Sequence, residues 1–180
     1  EDFIKEQQAS DKISVIINNS NKTERLKNDI RDEDGVIYMS IDDMKNFFDK
    51  YIYIEDEINE IVTTYDDKIA SIGFESNKLT LNGSTKKTSA HAIKENETVY
   101  LPISEMKDVY DIQIDNIADS KIIVIDSLEK EQVQAKTKSD VSVKAKKEGF
   151  SKTVDKIEKD NQVIVIKNNN NEISEKGWTK

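Results

Sequence analysis

A chain of 180 residues, 36% hydrophobic and 35% charged, has room for one domain of ordinary size plus a small one, with modest cores. It contains no cysteine, which excludes disulfides and thiol catalysis, and no apolar run approaches the ~18 residues of a membrane-spanning helix. The net charge is −9 and concentrates in residues 1–130, because residues 131–180 carry 11 lysines against 8 carboxylates. An acidic body of this kind repels nucleic acid and anionic lipid, so neither is expected as a partner.

Residues 1–12 are polar and read as a leader, and a first residue of Glu1 rather than Met implies a processed or trimmed product. Ile13, Val15 and Ile17 alternate with Ser14 and Ile16 as a strand, and Asn18-Asn19-Ser20-Asn21 reads as a turn. Lys22 to Gly35 is a charged segment ending in Asp32-Glu33-Asp34-Gly35. Calcium would need oxygen ligands at alternate places over about twelve residues and a closing Glu, so this stretch reads as a turn opening the next strand.

Val36-Ile37-Tyr38-Met39 is a strand that runs into a helix. Ser40 is the expected N-cap, and Asp42 and Asp43 suit the positive end of the helix dipole. Ile41, Met44, Phe47 and Phe48 fall on one helical face and are expected in the core. Adding 62 to Tyr38, Ile41, Met44, Phe47 and Phe48 gives Tyr100, Ile103, Met106, Val109 and Tyr110. These hydrophobic positions keep their spacing around the only proline, Pro102, which points to an internal duplication. Asn18 and Asn82 match at an offset of 64, so the repeat extends upstream.

After each helix comes a pair of strands. Ile52-Tyr53-Ile54, a turn at Glu55-Asp56-Glu57 and Ile61-Val62-Thr63 form the first pair. Ile112-Gln113-Ile114, a turn at Asp115-Asn116 and Ile122-Ile123-Val124-Ile125 form the second. Between the copies, Ile69, Ile72 and Phe74 suggest a strand, followed by Leu79-Thr80-Leu81 and the hairpin signal Asn82-Gly83. His91 is the only histidine and lies in a polar link, where it lacks the clustered donors that a metal site requires.

Leu128 to Ser139 is polar, charged and without an apolar face, and reads as a linker. Beyond it, Val141 and Val143 alternate, Val154 and Ile157 precede a turn at Asp160-Asn161, and Val163–Ile166 is a clear strand. Trp178 opens a last strand, so the segment reads as a small barrel that lacks its closing strands, with an unpaired edge on Val163–Ile166. The expected fold class is α+β: duplicated antiparallel sheet units, each wrapped on a short helix, followed by a partial small β-barrel. The expected organisation is a leader at 1–12, a duplicated domain at 13–127, a linker at 128–138 and an incomplete barrel at 139–180.

The order Asn82-Gly83, Thr98-Val99-Tyr100-Leu101-Pro102-Ile103, Ile112-Gln113-Ile114-Asp115 and Lys121-Ile122-Ile123-Val124-Ile125 resembles the copper amine oxidase N-terminal-like, or stalk, domain of exported clostridial proteins. The resemblance covers about residues 13–126. It departs from the pattern at Ser104, where a basic residue is usual, at Ile114, where an aromatic is usual, and in lacking Leu-Gly-Ala after the helix. It implies packing positions and no metal site. Val141-Ser142-Val143, Gly149-Phe150, Lys159 to Val165 and Gly177-Trp178-Thr179-Lys180 are similar to a bacterial Src-homology-three-like barrel, a family that binds wall peptides or acts as a spacer.

These resemblances imply a non-catalytic stalk and wall-targeting region of a larger exported enzyme acting on peptidoglycan or spore wall. A family 18 glycoside hydrolase or an amidase is expected downstream, with peptidoglycan or wall peptides as partner, no cofactor, and a place in the cell wall or on the spore surface. An alternative is a structural module that grips a protein partner through a sheet edge. A glycosidase built from Asp42/Asp43, Glu55/Asp56/Glu57 or Asp66/Asp67 fits poorly, because neighbours in sequence cannot flank a substrate from two sides. No catalytic, cofactor or metal residue is therefore assigned.

Overall fold

The computed structural model describes residues 12–117, 121–128, 134–136, 138–144, 153–160, 162–164, 166–167 and 173–174. These residues are mostly strand, with two short α-helices and a few 3-10 turns. The chain divides into two compact units, one of residues 25–114 and one of residues 1–24 with 115–180.

The unit of residues 25–114 is built on two hairpins, β3 (Arg31–Glu33) with β4 (Val36–Ser40), and β10 (Ile93–Glu95) with β11 (Thr98–Pro102). β4 and β11 pair antiparallel at the centre of a four-stranded sheet of order β10-β11-β4-β3. The correspondence at 62 residues extends to the backbone. Arg31 pairs with Tyr38 as Ile93 pairs with Tyr100, and Glu33 pairs with Val36 as Glu95 pairs with Thr98. The hairpin turns match as well, since Asp34 and Asn96 both adopt positive φ, at 52° and 53°. Such angles favour short polar side chains.

Each central strand runs into a helix. β4 leads directly to α1 (Ile41–Phe47), and β11 leads through a 3-10 turn at Ile103–Met106 to α2 (Lys107–Tyr110). Ile37, Met39, Ile41 and Met44 are buried, and so are their counterparts Val99, Leu101, Ile103 and Met106. The match breaks at the last turn. Val109 and Tyr110 are fully enclosed, whereas Phe47 and Phe48, expected in the core, are only half-buried. α1 ends at Phe47 and the backbone leaves the helix at Phe48, with φ −128° and ψ −54°, so these rings sit at the rim of the helix.

Five further strands form one antiparallel sheet in chain order: β5 (Tyr53–Glu55), β6 (Glu60–Thr63), β7 (Ala70–Gly73), β8 (Lys78–Leu81) and β9 (Ser84–Lys87). Ile61, Thr63, Ala70, Ile72 and Leu79 are buried on its inner face and alternate with half-exposed or exposed neighbours, except that Gly73, next to Ile72, is buried as well. Asn82 and Gly83, with φ 49° and 80°, make the tight turn between β8 and β9 that the Asn-Gly pair signals.

In the other unit, β1 (Ser14–Ile17) hydrogen-bonds to β2 (Ser20–Asn21) and, in parallel, to β13 (Ile122–Ser127). The sheet order is β12-β13-β1-β2, with β12 spanning Ile112–Ile117. Asp115 and Asn116, expected in a turn, therefore lie within a strand. Among the described residues this unit also holds three two-stranded ladders. β14 (Gln134–Lys136) pairs with β17 (Gln162–Ile164), β15 (Val141–Lys144) with β16 (Thr153–Ile157), and β18 (Ile166–Lys167) with β19 (Ile173–Ser174). Gln134–Lys136, read from sequence as linker, is thus a strand that pairs with one edge of Gln162–Ile164. Residues 1–11, Gly149, Phe150 and Trp178 lie outside the described residues.

Candidate functional site

The carboxylates singled out in sequence separate into two groups. Asp43 is fully buried, and its oxygens accept the backbone N–H of Lys27 at 2.7 Å, the N–H of Asn28 at 3.0 Å and the Ser40 hydroxyl at 2.7 Å. Ser40 in turn accepts the Asp43 N–H at 3.1 Å, a reciprocal cap at the start of α1. Asp42 forms an ion pair with Lys27 at 2.5 Å. The other group faces solvent. Asp56 and Glu57 are exposed in the β5–β6 connection, and Asp66 and Asp67 are exposed at φ 45° and 58°. Asp32 accepts the Gly35 N–H at 2.9 Å and closes the β3–β4 turn. The sequence candidates are not brought together at one place.

Counterparts repeat here too. The Ser89 N–H donates to Glu105 at 3.1 Å as the Lys27 N–H donates to Asp43, again 62 residues apart. Ser104, where the stalk pattern has a basic residue, accepts the Ile37 N–H at 3.1 Å. His91 stands 2.8 Å through Nδ1 from the Asn77 side-chain oxygen.

Sequence reasoning missed a buried polar cluster around Asp49. Asp49, Thr63 and Tyr110 are each at most 3% exposed. The Asp49 carboxylate accepts the Tyr110 hydroxyl at 3.1 Å, the Thr63 hydroxyl, and the Tyr51 N–H at 3.1 Å. Tyr65 meets the Tyr110 ring edge-on at 5.0 Å. Burial, and then the Asp49 charge, raise the Tyr110 pKa far above that of an ordinary phenol. With its acceptors occupied, this carboxylate ties the end of α2 to the segment after α1, and it is placed to hold rather than to react. A single Asp between helix and strand gives no periodic signal that sequence could have shown.

An open surface of this unit is the outward face of the β5–β9 sheet. One line of paired residues across it is Tyr53, Val62, Ser71, Thr80 and Thr85. The sheet's exposed large side chains are Tyr53 at 44%, with Tyr51 at 66% and Ile69 at 63% just beyond the strand ends. At the β8–β9 end a concavity of about 490 Å³ is lined by Ser76, Asn77, Lys78, Thr85, Lys86 and Lys87. Lys86 is paired with Asp108 at 2.5 Å. Hydroxyls, tyrosines and ammonium groups on an exposed face suit binding. The signal in sequence was the alternation Tyr51, Tyr53, Glu55.

Among the described residues no helix is long and apolar enough to cross a membrane. Comparison with family models, with curated proteins and with solved structures finds no match to this chain.

Proposed function

We propose that the chain is the non-catalytic stalk and wall-targeting region of a larger exported bacterial enzyme that acts on peptidoglycan or spore wall. The observation that carries this reading is the repeated strand-to-helix unit. Its buried positions Tyr100, Leu101, Pro102 and Ile103 are those through which the sequence resembles the stalk domain. A domain whose recurring residues are packing residues serves as a spacer, and its polar repeats, Asp43 and Glu105, bind its own backbone. In this reading the fold is a duplicated α+β domain at 13–127, and 139–180 is a Src-homology-three-like barrel that contacts wall peptides. The reaction belongs to a hydrolase domain of the same polypeptide, outside the cell.

Purified peptidoglycan mixed with the chain and sedimented tests the reading. The chain is expected in the pellet, and no soluble muropeptides are expected to appear. A chain that stays in the supernatant removes wall targeting, and muropeptide release removes the non-catalytic assignment.

A further inference from the structure

The outward face of the β5–β9 sheet carries charges arranged unfavourably within one molecule. Glu55 lies directly opposite Glu60, and Lys78 lies directly opposite Lys87. Like charges facing each other across a ladder repel. Among the described residues none of the four has an ion-pair partner. Glu60 also pairs with Gly73, and because Ile72 pairs with Leu79, Lys78 follows one residue along from that register. Read across the sheet, the line runs acid, acid, glycine, base, base, with the glycine buried beneath the Ser76 side chain.

This line becomes its own complement when its direction is reversed. A two-fold axis parallel to β7, in the plane between two copies, inverts the strand order and keeps each line opposite itself. Glu55 then meets Lys87 of the second copy, and Glu60 meets Lys78, with each pair formed twice. In the neighbouring line Tyr53 meets Thr85, and the small Ser71 lies at the axis. We infer that this face is a self-complementary docking surface whose occupant is a second copy of this chain, in an isologous dimer. A polyanion such as a wall glycan would use only the lysine end and leave the paired glutamates without a role. The inference does not rest on wall targeting, since a stalk that binds no wall pairs through the same face.

Five strands of about four residues offer roughly 300 Å² per copy, enlarged by Tyr51 and Ile69 at the margin. That lies below the standard interface, so association is weak and concentration-dependent. Sedimentation velocity of the full chain, from ~10 μM to ~1 mM at low and high salt, reads it directly. The dimer fraction is expected to rise with concentration and fall with salt. Lys78→Glu/Lys87→Glu and Glu55→Lys/Glu60→Lys are each expected to associate at least about tenfold more weakly. An equimolar mixture of the two, one line wholly acidic and the other wholly basic, is expected to recover the association. Near-UV circular dichroism confirms that each variant is folded, and Lys78→Gln/Lys87→Gln, also expected to weaken pairing, replaces a reversal that is not. A parent that stays monomeric, variants that sediment like the parent, or folded variants that fail to recombine would each overturn the inference. Reversals that abolish peptidoglycan binding and leave sedimentation unchanged would also overturn it, assigning the face to a polyanion.

Discussion

The segments 31–48 and 93–110 share their hairpin register, their buried apolar positions as far as Met44 and Met106, and a carboxylate that accepts a backbone N–H from the preceding segment. They differ in how their helices are secured. α1 is fastened at its start, where Ser40 and Asp43 cap each other. Pro102 stands at the equivalent of Ser40 and offers no side-chain cap. That helix begins as a 3-10 turn and is fastened at its end instead. The Lys68 ammonium donates to the carbonyls of Asp108 and Val109 and to the Asp111 carboxylate, and Asp111 closes the helix at φ 48°. The apolar frame repeats, while the polar anchors are local solutions to unsatisfied helix ends.

The comparison is broken hardest at its last turn. Tyr110→Ala empties an enclosed site and is expected to cost about 3–5 kcal/mol, whereas Phe48→Ala at the half-buried equivalent costs about half as much. Chemical denaturation of the two variants reads the difference, and equal losses would mean that the two helices end alike. Asp43→Ala leaves two backbone N–H groups and a hydroxyl without their acceptor, for about 2–3 kcal/mol, while Glu105→Ala loses one bond at a half-exposed site and costs under about 1 kcal/mol.

Smaller effects sharpen the contrast at each end. Ser40→Ala is expected to cost about 1 kcal/mol through the lost cap. Lys68→Met is expected to cost about 0.5–1 kcal/mol through the carbonyl end of α2. Thermal melts of the single and double variants should add, because the two residues serve different helices.

The smallest effect is a pH dependence at the Lys86–Asp108 pair of the second copy. The Lys86 ammonium beside it lowers the Asp108 carboxyl below the usual carboxylate range, while the equivalent of Asp108 in α1 is Asn46. A lowered folded-state value gives stabilisation that is present above about pH 4 and is lost as pH falls through the depressed value. Lys86→Ala should therefore lie slightly below the parent in melting temperature at neutral pH and converge with it on the acid side. A gap that stays constant with pH would assign the loss to packing of the lysine stem.

Much of the frame was legible because apolar spacing is a direct image of a buried face. Ile41, Met44, Ile103 and Met106 were placed in the core from spacing alone, and all four are buried. The outer hairpin strands β3 and β10 were not legible. Arg31-Asp32-Glu33 and Ile93-Lys94-Glu95 carry charges toward solvent, and their strand character comes from pairing with β4 and β11. Phe47 and Phe48 were misplaced because helical phase says which way a side chain points and not where the helix stops. The Asp49 cluster and the charge line on the β5–β9 sheet depend on residues that only the fold brings opposite one another.

The claim beneath the functional reading is that the two strand-to-helix units are equivalent parts of one frame. Native-state hydrogen exchange of the amides in β4 and β11 tests it most directly. These strands pair through Tyr100 with Ser40 and Leu101 with Met39, so their amides are expected to open together, with the highest protection in the unit of residues 25–114. Slow exchange in one strand and fast exchange in the other would contradict the account.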